Sequence, residues 1–152
     1  NGAHVSEVVI DPETGVVTVD RYTVVDDFGN LINPMLAEGQ VHGGVVQGIG
    51  QAIQEHVVYD EDGQLLTASF MDYAIPRAAD VPFVSFNSEP VPSTANLMGM
   101  KGCGEAGTVG ALAAVSNAVQ DALWARGVRQ ADMPFTPHKV WALLNDSAIA
   151  AE

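Results

Sequence analysis

The sequence has little positive charge and almost no cysteine. Six Lys and Arg residues stand against 19 Asp and Glu residues, which gives a net charge of −13. This charge excludes nucleic acid as a main ligand and makes an anionic membrane surface an unsuitable partner, because both would repel the chain. Cys103 is the single cysteine, so an internal disulfide is excluded as well.

Long apolar runs and metal-ligand clusters are also missing. No run approaches the ~20 apolar residues that a membrane-spanning helix needs, and the first residues lack the basic and apolar regions of a secretion signal. We expect a cytoplasmic protein, with a periplasmic location left open because a signal could have been removed ahead of Asn1. The scattered histidines are interpreted as surface or helix-face residues and not as ligands: His4, His42, His56 and His138. No metal-binding side chain is predicted.

The sequence that is present predicts an α+β fold. The chain has 152 residues, 47% of them hydrophobic, which is enough for one core or at most two small lobes. Residues 5–10 and 16–26 have strand character and flank a turn at 11–15, so they predict an N-terminal β-hairpin. Further short strands are expected around a turn at 59–63 and at 82–86.

Three helices are expected. Asn33 and Pro34 predict the start of a glycine-rich central helix that extends to about Glu55. Apolar residues at helical spacing from 109 to 123 predict a second helix, which Gly127 would end. A last helix is predicted after 136–137, and residues 146–152 are expected to form a frayed tail.

The central helix contains glycines that should destabilise it. Each can cost up to about 1 kcal/mol relative to alanine, and they are Gly39, Gly43, Gly44, Gly48 and Gly50. Something must approach the helix closely enough to compensate. Packing against another helix or strand and contact with a cofactor both remain open from spacing alone.

The segment 101–108 places one carboxylate, Glu105, in a glycine-rich bend just before the second helix. We expect Gly102, Gly104 and Gly107 to give access to positive φ and to let another molecule come close. A carboxylate there is suited to a ligand or a reacting group. The alternative is that Glu105 only caps the helix electrostatically and that the glycines only make the turn.

Several ordered motifs give the chain a family resemblance. Residues 101–111, 114–123, 132–137 and 140–141 closely resemble the C-terminal end of molybdopterin-containing hydroxylase large subunits. This is the family of xanthine dehydrogenase, aldehyde oxidase and aerobic carbon monoxide dehydrogenase. Residues 4–15 resemble its opening strand and turn, and 33–34 with 39–50 resemble its glycine-rich cofactor helix. The resemblance implies that residues 1–152 are the C-terminal portion of a molybdopterin-binding domain.

The resemblance also implies roles for particular residues. Glu105 matches the general base for oxidative hydroxylation of an aldehyde, a purine-like heterocycle or carbon monoxide. Gln40 matches a glutamine that contacts the cofactor, and Gly102, Cys103 and Gly104 would lie against it. The cofactor would be molybdopterin, with the cytosine dinucleotide form left open. Cys103 stands where the family usually has a small aliphatic residue, and we interpret it as part of the pocket wall.

The implied partners are the remaining part of the molybdenum subunit and iron–sulfur and flavin subunits or domains. We expect the isolated chain to be inactive, to carry little or no cofactor, and to self-associate through an exposed apolar surface. The competing hypothesis is a non-catalytic module that buries its glycine-rich helix in a dimer.

Overall fold

The N-terminal hairpin forms as predicted. The structure, a computed structural model, describes residues 1–145, so the tail predicted at 146–152 lies outside the described residues. Strands β1 (Gly2–Ile10) and β2 (Val17–Asp26) pair antiparallel. Gly15 adopts φ 72° in the turn between them, a conformation that L side chains rarely adopt.

Strand β3 (Val84–Ser88) completes a three-stranded sheet in the described part of the chain. It pairs parallel with β2, in the order β1-β2-β3, and begins two residues later than predicted. The turn at 59–63 is confirmed, with Gly63 at φ 80°. Its flanks make only an isolated bridge between Tyr59 and Leu65, so the strands expected on either side do not form.

The predicted helices are confirmed over residues 1–145. Helix α1 spans Pro34–Ile53, and the Asn33 Oδ1 atom caps it by accepting from the Leu36 amide at 3.2 Å. Helix α2 spans Ala106–Trp124, and Gly127 follows it at φ 93°. Helix α3 spans Pro137–Asn145. The α+β fold class is therefore confirmed.

The core lies where α1, α2 and the inner face of the sheet meet. Its largest fully buried side chains are Tyr22, Val24, Val41, Val45, Ile49, Val115, Val119, Leu123, Phe135 and Val140. Gly44 lies against residues 107–108 of α2, and Gly48 lies against Thr108, Ala111 and Leu112. The two helices thus run in the same direction, and their N-terminal ends point to one side of the molecule.

Four of the five α1 glycines divide into two groups, and the fifth, Gly50, lies against Pro76. A Cβ atom at Gly44 would lie 2.9 Å from the Thr108 backbone nitrogen, and one at Gly48 would lie 2.6 Å from the Ala111 Cβ. These two glycines allow close helix packing. At Gly39 and Gly43, by contrast, no described atom beyond the adjacent residues and the surrounding helix backbone lies within 4 Å of an added Cβ. Helix packing therefore explains the inward glycines, and the outward ones have no packing partner from another element among residues 1–145.

Candidate functional site

A groove of about 340 Å³ lies beside the first turns of α1. Its walls come from the loop 28–33, from the start of α1 and from residues 100–103. The lining is largely apolar, with Phe28 and Leu36 among its side chains, and it includes Gln40 and Cys103. The structure thus brings together two predicted site residues that are 63 positions apart in the sequence.

The 101–105 loop is anchored at its first residue. The Lys101 ammonium donates to Asp27 Oδ2, and the Lys101 amide donates to the Phe28 carbonyl at 2.9 Å. Asp27 Oδ1 also accepts from the amides of Val91 and Gly29, both at 2.9 Å. The hydrogen bond from Lys101, followed by those from the Val91 and Gly29 amides, holds the pKa of the Asp27 carboxyl well below its usual range.

Past this anchor, the loop leaves its backbone open. No atom of the described residues lies within 4 Å of a Cβ added at Gly102 or Gly104. The amides of Gly102, Cys103 and Gly104 donate no hydrogen bond within residues 1–145. Cys103 is half-buried and packs against the edge of the core. The loop therefore offers unpaired backbone donors next to space that another molecule can enter.

Glu105 occupies the N-cap position of α2, and its side chain is exposed. It makes no side-chain capping bond, and it has no ion-pair partner in the part of the chain that the structure describes. Only its carbonyl is used locally, accepting from the Val109 amide at 3.1 Å. Glu105 does not line the 340 Å³ groove, although it lies two residues beyond Cys103, which does. Its carboxylate is thus available to a group outside this chain.

Gln40 is exposed on the outward face of α1, between the open positions Gly39 and Gly43. The neighbouring Val41 carbonyl contacts α2, since it would lie 2.5 Å from a Cβ added at Gly107. Gln40 therefore lies near the N-terminal end of α2, on the side of the molecule that also carries Glu105. Gln47 is exposed too, but it lies seven residues along α1, about 10 Å away along the helix axis.

Two sequence-based predictions are wrong, one in the 101–107 segment and one in the N-terminal hairpin. None of Gly102, Gly104 and Gly107 adopts positive φ. Gly107 is required instead because it packs directly on α1, and the other two leave open space. His4, interpreted as a surface or helix-face residue, has a side chain only 6% exposed and lies within the hairpin. The alternation of β1 places residue 4 on the side of the strand that faces the core. The prediction followed the usual exposure of histidine instead of this alternation.

Sequence reasoning assigned no role to Lys101 or Asp27. They are 74 positions apart, and no local pattern connects such residues before the sheet and loop are assembled. The one available signal was Lys101 itself, a cation at the first position of a glycine-rich loop in a chain with only six Lys and Arg residues.

A larger cavity, of about 430 Å³, lies elsewhere. It is bounded by the end of α1, the 70–77 segment and Phe135, and it contains none of the predicted site residues. Within residues 1–145, no group of three or more His, Cys, Asp or Glu side chains could hold a metal ion. Among the described helices, none is long and apolar enough to cross a membrane. The smaller groove, with its adjoining loop, is therefore the candidate site.

Comparisons with known proteins identify the family of the chain. Residues 1–82 match the molybdopterin cofactor-binding domain family. The chain is 45% identical over 140 residues to the nicotine 6-hydroxylase large subunit of Paenarthrobacter nicotinovorans, covering 92% of this chain and 17% of that protein. It is 37% identical over 149 residues to the carbon monoxide dehydrogenase large chain of Hydrogenophaga pseudoflava, covering 98% of this chain and 19% of that protein.

Solved structures show the same similarity. Quinoline 2-oxidoreductase from Pseudomonas putida 86 superposes with a TM-score of 0.92 at 41% identity, covering 96% of this chain and 19% of that one. The Cu,Mo-CO dehydrogenase gives a TM-score of 0.86 at 38% identity, covering 90% of this chain and 17% of that one. The chain spans less than a fifth of the length of these relatives. It belongs to the molybdopterin cofactor-binding domain family and corresponds to a part of the large, molybdopterin-binding subunit of the molybdenum hydroxylases.

Proposed function

We propose that this chain supplies the general base of a molybdenum hydroxylase, Glu105, together with part of the surface that holds the cofactor. The observation that carries the proposal is the state of Glu105 in the structure. Its carboxylate is exposed at a helix N-terminus, without a capping bond or an ion pair among the described residues. A carboxylate that capped the helix through hydrogen bonds would accept from the first-turn amides, and Glu105 accepts from none of them.

The residues around Glu105 fit a molybdopterin cofactor. The free amides of residues 102–104 can donate to an anionic or sulfur-bearing group, and the N-terminus of α2 favours negative charge nearby. Gly102 and Gly104 leave room for close approach, as Gly39 and Gly43 do on α1. The Gln40 amide would bond to the same group, and Cys103 would form part of the wall. When bound, this cofactor supplies the oxidation chemistry and the metal, so a metal-ligating cluster in the chain is not required.

The role of Glu105 is proton transfer. Its carboxylate oxygen would accept the proton released as the substrate carbon is oxygenated, which requires it to be ionised and within hydrogen-bond reach of the reacting group. The Lys101–Asp27 anchor fixes the start of the loop, and the Gly107 contact with α1 fixes its end. Glu105 is thus carried by a short segment that is held at both ends.

The substrate class that we propose is a nitrogen heterocycle. Nicotine 6-hydroxylase at 45% identity and quinoline 2-oxidoreductase at 41% are named for such molecules, whereas the carbon monoxide dehydrogenases compared above are 37–38% identical. Turnover of pyridine-type or quinoline-type compounds by the complete enzyme, without oxidation of carbon monoxide, would support this class. Oxidation of carbon monoxide alone would contradict it.

The same reasoning proposes the remaining part of the molybdenum subunit as the direct partner, with iron–sulfur and flavin subunits or domains completing electron transfer. Exposed apolar side chains surround the groove and include Ile32, Met35 and Leu36, which are 62–73% exposed. Such a patch is typical of a surface that another protein segment covers. In the isolated chain we expect this patch to cause self-association and little cofactor to be retained.

The test is Glu105→Gln in the complete molybdenum subunit. Glutamine keeps the shape but removes the basic carboxylate, so turnover should fall by about 10²–10⁴-fold while molybdenum content stays the same. Glu61→Gln, in the exposed turn at 59–63, is the matched control and should leave turnover unchanged. Equal turnover of the Glu105 and Glu61 variants would refute the proposal.

A further inference from the structure

A buried polar cluster joins the hairpin to α2, away from the groove. The Nδ1 atom of His4 lies 2.7 Å from the Tyr22 hydroxyl, and its Nε2 atom lies 3.5 Å from Asp26 Oδ1. The side chains of His4 and Asp26 are only 6% and 3% exposed, and Tyr22 is fully buried. Nothing in the proposed chemistry uses these three residues, so their burial requires another explanation.

One hydrogen bond and one polar contact hold the histidine ring. In the tautomer with the proton on Nε2, Nδ1 accepts from the Tyr22 hydroxyl and the Nε2–H group faces Asp26 Oδ1. Burial, reinforced by the charge of Asp26, raises the pKa of Tyr22 and keeps its proton in place. Among the described residues, Asp26 Oδ2 has no hydrogen-bond partner, so His4 provides the side-chain contact of this carboxylate.

The oriented ring lies directly against α2. A Cβ added at Gly110 would be 2.5 Å from Cε1, Nδ1 and Nε2 of His4, so the ring fills the space that a side chain would occupy. Within α2 the only titratable side chain is that of Asp121, about 16 Å further along the helix axis. His4 thus meets the helix backbone and no charged group of α2.

The contact falls close to the proposed base. Gly110 is five residues after Glu105, about 7.5 Å along the helix axis. The same turns are held by α1, where Gly107 contacts the Val41 carbonyl and Thr108 Oγ1 donates to the Gly44 carbonyl at 3.0 Å. Since the N-terminus of α2 has no side-chain cap, these lateral contacts set its position.

We propose that His4 is a positioning residue: held by Tyr22 and Asp26, it presses on Gly110 and fixes the first two turns of α2, and hence the place of Glu105. The proposal rests on the function proposed above. Its physical basis is that the hydrogen bond to Tyr22 and the contact with Asp26 hold the buried ring in one orientation, whereas an apolar contact of similar size tolerates several.

The experiment compares variants of the complete, cofactor-loaded subunit by hydrogen exchange of the 107–112 amides and by kcat and KM. His4→Ala should lower the protection of these amides and reduce kcat by up to about 10²-fold, with KM and molybdenum content unchanged. Gly110→Ala should have the same effect while keeping His4, because its methyl group displaces the ring. The double variant, His4→Ala with Gly110→Ala, should recover part of the lost amide protection and part of the lost kcat, since the space that the ring leaves accepts the methyl group.

The outcomes separate this proposal from the function itself. If Glu105→Gln lowers turnover but both single variants keep wild-type exchange and kcat, the positioning role is wrong and the general base stands. If both single variants lower the protection of the 107–112 amides but Glu105→Gln leaves turnover unchanged, His4 does position α2. The assignment of Glu105 as the general base is then wrong. Should His4→Ala not fold, Gly110→Ala decides alone: unchanged exchange at 107–112 overturns the proposal.

Discussion

The inward and outward faces of α1 both carry glycines, but their surroundings differ. Gly44 and Gly48 face α2, where an added Cβ would lie 2.6–2.9 Å from its nearest neighbour. Gly39 and Gly43 face open space beside Gln40. The 101–107 segment repeats the contrast, with Gly107 packed on α1 and Gly102 and Gly104 open. Packing within this chain accounts for the packed glycines, and we propose contact with a ligand for the open ones.

The largest expected stability change comes from a packed glycine of α2 that contacts α1. Gly107→Ala would place a Cβ 2.5 Å from the Val41 carbonyl, a backbone atom that cannot rotate away, so the two helices must separate. We expect unfolding to become easier by about 1–3 kcal/mol or more, as for other overpacked cores. Chemical denaturation of the variant and the parent chain measures this difference.

The matched change on the outward face should have the opposite sign. Gly43→Ala adds the same methyl group where no described atom lies within 4 Å. Alanine is the better helix former, so stability should rise by up to about 1 kcal/mol. If Gly43→Ala and Gly107→Ala destabilised the chain equally, the distinction between packed and open glycines would be lost.

The anchor of the open loop should respond to acid. The pKa of Asp27 is lowered in the folded state, chiefly by Lys101, so its contribution to stability is present above its unfolded value of about 3.9 and is lost as pH falls below that. Asp27→Asn should therefore be less stable than the parent at pH 7 and should lose less stability between pH 5 and 2. Asp20→Asn is the control, because Asp20 is exposed and its contact with Arg21 is long, at 3.8 Å. Denaturation curves across this pH range provide the comparison.

The smallest stability effect is expected at the outward glutamine. Gln40 is exposed, so Gln40→Ala should change the stability of the fold by no more than about 0.5 kcal/mol. In the complete subunit it should nevertheless lower molybdenum content or turnover, because the amide would bond to the cofactor. Gln47→Ala, on the same helix, should change neither. A loss of several kcal/mol in stability with unchanged molybdenum content would identify Gln40 as a structural residue.

Local signals in the sequence predicted most of the fold. Asn33 with Pro34 indicated the start of α1, Gly127 indicated the end of α2, and strand alternation indicated the hairpin. Each of these signals depends only on neighbouring residues. The parallel pairing of β3 with β2 was not predicted, since it joins residues some 60 positions apart. The Lys101–Asp27 anchor was missed for the same reason, whereas the buried position of His4 was missed because the usual exposure of histidine was preferred to the strand alternation. Which α1 glycines allow close packing and which stay open likewise depends on where α2 packs.

The candidate site, like the fold, could be predicted only in part from the sequence. Family motifs named Gln40, Cys103 and Glu105, and the structure brings the first two into one groove with Glu105 exposed beside it. Their chemical roles concern a cofactor and a substrate outside this chain, so the roles remain predictions.

A crystal structure of the complete, cofactor-loaded subunit tests the central claim most directly. The account predicts that the Gln40 amide lies within hydrogen-bond reach of the cofactor, that the glycines at 102 and 104 contact it through their backbone, and that the Glu105 carboxylate lies about 2.6–3.2 Å from the reacting group. A cofactor bound on another face, with Glu105 turned back to cap α2 or paired with a basic side chain, would contradict it.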